Sequence, residues 1–190
     1  MRNGLYGIDK ANSCTAIESG KGNIAYTGGF RLGQAIKMEI RPVYEDISVY
    51  QGMNDKGYDQ EIAYADVNLD VSALPAETNK LMFGHIVGAG ENTVSYRCND
   101  TGAYVGFGAI CREKVNGTLK YIAFWLYKVK FMEKSQSHET GGDSIEYDTP
   151  SLEGRALPVN GYDWMVKCIH GTEEEAIAWL NTMAGISKNK

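Results

Sequence analysis

Residues 116–131 read Asn116-Gly117-Thr118-Leu119-Lys120-Tyr121-Ile122-Ala123-Phe124-Trp125-Leu126-Tyr127-Lys128-Val129-Lys130-Phe131. A two-residue hairpin turn needs positive φ at both central positions, which Asn-Gly tolerates best, so a strand pair is predicted around it. Residues 103–111 supply its first strand and residues 119–131 its second. In the second, Leu119, Tyr121, Ala123, Trp125, Tyr127, Val129 and Phe131 alternate with Lys120, Ile122, Phe124, Leu126, Lys128 and Lys130. Both sets are apolar in the middle, so this strand is expected to be covered on both faces, as in a central strand or one at an interface.

Further strands lie on either side. Residues 34–41 place Ile36, Met38 and Ile40 toward a core, with Lys37, Glu39 and Arg41 opposite. Residues 62–71 place Ala65, Val67, Leu69 and Val71 on one face and Asp66, Asn68 and Asp70 on the other. Residues 144–149 alternate Ile145, Tyr147 and Thr149 with Ser144, Glu146 and Asp148. Between the first two strands, residues 42–61 read as a long loop, where most connections need only about 4–6 residues. Tyr44, Ile47, Val49, Tyr50, Met53 and Tyr58 make it too apolar for a solvated linker, so it is expected to dock on another surface.

Two helices are predicted. Ser72-Ala73-Leu74-Pro75-Ala76-Glu77 has the proline and acid of a helix start, and Gly84 suits its end. Thr172 caps a second helix, with Glu173, Glu174 and Glu175 in the first turn and Gly185 after the last, inside a helical extension of about residues 162–190. The expected architecture is one mainly β domain over residues 1–190, a sandwich or barrel with a flanking helix and a C-terminal helix.

A chain of 190 residues can bury roughly 70% of its unfolded surface. Its 43% hydrophobic and 23% charged residues are ordinary for a globular domain, and 22 Gly against 4 Pro, with 12 Tyr, favour strands and turns. A formal net charge of −5 argues against nucleic-acid binding through a basic surface. Cys14, Cys98, Cys111 and Cys168 form no C-x-x-C pair and are expected to be reduced and buried in a cytosolic product. Met1-Arg2-Asn3-Gly4 lacks the apolar run of a signal peptide, and residues 121–127 are too few to cross a bilayer, so no membrane partner is expected. The N-x-S/T matches at Asn99 and Asn116 then read as turn residues.

No catalytic cluster emerges. Phosphate-loop and dinucleotide motifs are missing in context, and His85, His138 and His170 make no H-x-x-x-H or H-x-H pair, so neither cofactor nor metal is expected. Asp66 with Asp70, and Glu146 with Asp148, could supply the two carboxylates of a glycosidase, yet their strand spacing is that of a solvated face. A non-enzymatic role is expected, with no catalytic residue assigned. The 12 Tyr and 3 Trp support a second class, a β-sandwich module binding carbohydrate or another surface.

Several segments carry a resemblance in order. Asp66-Val67-Asn68-Leu69-Asp70-Val71-Ser72-Ala73-Leu74-Pro75-Ala76-Glu77, closing with Leu81-Met82-Phe83-Gly84-His85, is followed by Tyr104-Val105-Gly106-Phe107-Gly108, Trp125-Leu126-Tyr127-Lys128-Val129-Lys130-Phe131, Gly142-Asp143-Ser144-Ile145-Glu146-Tyr147 and Leu152-Glu153-Gly154. This set resembles the major tail protein family of long-tailed bacteriophages and prophages of Gram-positive bacteria, the phi-thirteen type. The resemblance spans about residues 24–154; the segments before Gly22 and after Tyr162 match no family motif.

The resemblance implies a tail tube subunit of the virion, made in the bacterial cytoplasm and assembled as stacked hexameric rings around a bore for DNA ejection. Its partners would be other copies of itself and tail-tip, tape-measure and terminator proteins, with DNA passing through unheld. On that picture residues 42–61 are the inter-ring contact. Asp66, Asn68, Asp70, Glu146 and Asp148 are then lumen candidates, since acidic walls repel phosphates over about 8–10 Å.

Overall fold

In a computed structural model the described backbone covers residues 5–19, 23–33, 35–51, 55–72, 74, 78–88, 93–133 and 150–186, with side chains described over 24–32, 36–46, 60–72, 74, 78–88, 93–133 and 150–186. The strands are β1 (Leu5–Ser19), β2 (Asn23–Gly33), β3 (Ala35–Gln51), β4 (Asp55–Val71), β5 (Ile86–Val87), β6 (Val94–Ser95), β7 (Val105–Val115), β8 (Thr118–Glu133), β9 (Ser151–Ala156) and β10 (Met165–His170). Helix α1 (Glu173–Met183) follows. The main sheet runs β2-β1-β7-β8-β9-β4-β3, with β10 also on β8, and its pairings are antiparallel.

The sheet curls on itself, because one face of β4, β7, β8 and β9 is apolar and must leave water. Ala65, Val67, Leu69 and Val71 of β4 are buried, as their alternation predicts, and meet Phe107, Leu126, Phe131 and Leu152 in one core. Met38 and Ile40 of β3 pack at its margin. Ile36 does not join them and stays 54% exposed. A bulge explains it: Ala35 faces Val71 and Lys37 faces Asp70, leaving Ile36 out of phase.

The predicted hairpin forms, with Asn116 at φ 51° and Gly117 at φ 83°, and β8 is indeed covered on both faces. Its second cover is α1, whose Ala176 and Leu180 pack with Ile110, Ala123 and Trp125. Thr172 and Glu175 close a reciprocal cap at the helix start.

The simple odd-and-even division of β8 fails at a bulge. Phe107 pairs with Leu126 but Val105 pairs with Val129, so β8 spends one residue more than β7. Before the bulge Phe124 and Leu126 face the core and Trp125 faces α1; after it, Val129 and Phe131 face the core. The bulge also splits the neighbouring column. β10 pairs with residues 121–126 and β9 with residues 129–133, both antiparallel to β8, so β9 and β10 are one strand interrupted by residues 157–164. The freed backbone groups are satisfied there: Tyr127 N–H donates to Trp164 O (3.1 Å), Leu157 N–H to Lys128 O (2.8 Å), and the Tyr26 hydroxyl to Tyr127 O (2.9 Å).

Two expectations change, and a third falls outside the described residues. The flanking helix is a single π-helical turn, Thr78–Met82, closed by Gly84 and by His85 N–H on Asn79 O (2.9 Å); of its predicted start, residues 73 and 75–77 lie outside the described residues. The C-terminal extension is not helical from residue 162, because β10 joins the sheet first. The strand at residues 144–149 lies outside the described residues.

Candidate functional site

Residues 42–61 are not an irregular loop. β3 and β4 stay in register from Ala35 opposite Val71 to Gln51 opposite Asp55. β9 accompanies β4 only from Ala65 to Asp70. Beyond that point, among the described residues, 43–51 and 55–64 are laddered only to each other as a two-stranded arm, which at about 3.4 Å per residue runs roughly 30 Å. A bulge between Val43 and Tyr44 marks its root. Its extra residue is Ala63 of β4.

Tyr44 is 53% exposed on this arm, and Gln60 Nε2 donates to Asp46 Oδ1 across it (3.2 Å). Ile47, Val49, Tyr50 and Tyr58 lie on its paired backbone, and Met53 lies outside the described residues. Arm residues 43–64 include Glu45, Asp46, Asp55, Asp59 and Glu61 against Lys56 alone. An isolated two-stranded hairpin is marginal in water, so this arm has reason to seek a third strand or a packing surface.

At the root of the arm, Pro42 of β3 and Met165 and Lys167 of β10 line one cavity. Among the described residues β10 pairs only with β8, so its outer edge bears no ladder. Beside it an open, mainly apolar cavity of about 340 Å³ lies between β3, β7, β8 and β10, lined by Met38, Ile40, Pro42, Ile122, Phe124 and Met165. Lys167 and Glu113 stand at its wall, and Ile169, 64% exposed, continues β10 past it.

The lumen candidates divide. Asp66, Asn68 and Asp70 do share the outward face of β4, but cations and hydroxyls accompany them: Arg155 Nε lies 3.4 Å from Asp66 Oδ1, and the Ser151 hydroxyl donates to Asp70 Oδ1 (2.6 Å). Register places Lys37, Arg41, Lys130 and Arg155 on this face with Glu39, Asp66, Asp70 and Glu153, so its charge is close to balanced. Lys128 and Lys130 lie over the Tyr104 ring (4.6 and 5.5 Å), and Arg155 over Tyr64 (4.0 Å). Glu146 and Asp148 lie outside the described residues.

One titratable cluster escaped the sequence reading. His85 Nδ1–H donates to Asp100 Oδ2 (2.7 Å), Arg97 N–H donates to the same oxygen (2.8 Å), and His85 Nε2 faces Glu133 Oε1 at 3.6 Å. Phe83 and Tyr96 pack on the imidazole. No sequence spacing links residues 85, 100 and 133. Only the folding of residues 83–101 onto the end of β8 brings them together.

The two donors, the His85 ring first, hold the Asp100 carboxyl below the usual carboxylate range. Stability from this group is therefore present above about pH 4, its ordinary value, and drains as pH falls through the lowered native value. Asp100→Asn should lower the urea midpoint at pH 7 and converge with the wild type once pH falls below the lowered native value. A gap that persists undiminished there would remove ionisation as the cause.

Among the described residues no three His, Cys, Asp or Glu side chains group as metal ligands, and no helix is long and apolar enough to cross a membrane. Cys111 is buried as expected, but Cys98 is exposed in the turn before Asp100. Trp125 is fully buried and Trp164 and Trp179 pack against the two cores. No family model matches the chain, and no curated protein matches it in sequence.

Proposed function

We propose that this chain is a structural, self-assembling subunit, a phage or prophage tail tube protein whose stacked rings enclose a path for DNA in the virion tail. The observation that carries the reading is the arm: among the described residues, 43–51 and 55–64 pair only with each other, beyond the reach of β9. A monomer gains nothing from such an extension, whereas a neighbouring copy supplies the missing partner. The resemblance in residues 24–154 adds the kind of assembly.

The outward face of β9, β4 and β3 suits the wall of a passage. Its interspersed Lys37, Arg41, Asp66, Asp70 and Arg155 give a passing polyanion little net attraction, so DNA is not held. Ring closure joins sheet edges, and stacking is a head-to-tail contact that propagates as a filament. Other copies are the main partner, with tail-tip, tape-measure and terminator proteins at the ends.

Negative-stain electron microscopy of the concentrated protein across a range of salt tests this. Rings or hollow tubes with a regular axial repeat are expected. A species that sediments as a monomer at every concentration would argue against the reading.

A further inference from the structure

We propose that the outer edge of β10 and the apolar cavity beside it form a strand-acceptor site for the arm of a second copy, occupied by the segment 43–51. This deepens the assembly reading and rests on it.

Three features identify the occupant. The first is backbone supply and demand. Among the described residues β10, Met165–His170, is laddered on one edge only, while β3 ends the sheet order and is laddered only to β4 along the arm. Strand addition satisfies both rows of N–H and C=O groups.

The second feature is the cavity. About 340 Å³ lined by Met38, Ile40, Pro42, Ile122, Phe124 and Met165 has room for one or two aliphatic side chains and is open to solvent. The segment 43–51, Val43-Tyr44-Glu45-Asp46-Ile47-Ser48-Val49-Tyr50-Gln51, offers Ile47 and Val49 at the two-residue spacing of one strand face. Specificity in strand addition comes from such alternate side chains beside a pocket.

The third is charge. Lys167 is exposed on β10 at the cavity and has no acidic partner among the described residues, whereas Glu113 there faces Lys120 across the β7–β8 ladder. The incoming segment brings Glu45 and Asp46, from an arm whose charged residues are nearly all acidic. The donor arm and the acceptor edge are different surfaces of the same chain, so the contact is heterologous. It propagates from copy to copy without self-limitation.

A fluorescently labelled peptide of residues 43–51, titrated with the full-length chain and read by anisotropy, tests the site apart from assembly. Saturable binding is expected, weakened about tenfold by Lys167→Glu, as befits reversal of one charge at the rim of a contact. A peptide with both acids replaced by lysine should regain affinity for the Lys167→Glu protein. Absence of binding at millimolar peptide overturns the proposal, as does equal binding to the Lys167→Glu protein or equal binding by a scrambled peptide. Tubes in the microscope without peptide binding sink the acceptor site alone. Peptide binding by a chain whose copies associate without forming rings or tubes sinks the tube reading alone, and a chain that stays monomeric at every concentration overturns both.

Discussion

Trp125→Ala is expected to remove about 3–5 kcal/mol of stability, the range for a large aromatic truncated in a packed core. The indole is fully buried, on the face of β8 that α1 covers. Its ring meets Tyr26 edge-on, with centroids 5.2 Å apart at 86°. Across the ladder the paired residue is Gly108, where a Cβ would come within 2.5 Å of Trp125 Cε3 and 2.6 Å of Leu180 Cδ2. Glycine is needed there because the indole and the helix already fill that space. Alanine at 125 leaves a cavity that the rigid sheet cannot close, and Ala176 and Leu180 lose the surface on which α1 docks.

The loss should appear in urea unfolding as a lower midpoint, with early loss of helical signal. A typical domain has only about 5–15 kcal/mol in hand, so partial unfolding at 37 °C is a realistic result. Trp125 Nε1 has no acceptor among the described residues, so its removal relieves one buried unsatisfied donor, which places the expected value toward the lower end. A loss under about 1 kcal/mol would mean that α1 is held by something other than this contact.

The sequence carried the fold where local pattern and final environment agreed. Residues 65–71 alternate cleanly because one face is core and the other water, and the Asn116-Gly117 turn encodes its own backbone angles. Thr172 with Glu175 is likewise a local signal, settled within one helical turn.

Legibility failed wherever a bulge intervened. One extra residue in β8 inverts every later side chain, and no rule of alternation announces where it falls. The bulge at Ile36 removed a predicted core residue, and a second one adds Ala63 to β4 at the root of the arm. Sequence also could not show that residues 151–156 and 165–170 share one column beside β8, since that depends on where β8 bulges. The His85, Asp100 and Glu133 cluster is set wholly by long-range folding. The apolar residues of segment 42–61 set it apart from a solvated linker by composition, while its pairing as two strands was not legible in them.

Removing the arm should abolish assembly and spare the fold. Val43 and Tyr64 are register partners at its root, so an Asn-Gly turn joining them replaces residues 44–63 without altering the ladder from Pro42 back to Ala35. Among the residues removed, those with described side chains, 44–46 and 60–63, do not join the buried core formed by Ala65, Val67, Leu69 and their neighbours. Shortening a loop of this size also lowers the entropy of the unfolded chain by a modest amount. The unfolding midpoint is therefore expected to stay within a few degrees of the wild type, since about 1 kcal/mol moves a domain of this size by only 2–4 °C. Association should fall by orders of magnitude, because strand addition is cooperative along the edge and the deletion takes the donor strand with both its acids. Sedimentation velocity and electron microscopy on the same preparation separate the two effects. A variant that melts like the wild type and yields only monomers supports the arm as the connecting element. Tubes of normal length from the deleted chain would show that the subunits join through the remaining sheet edges, and the arm would then need another explanation.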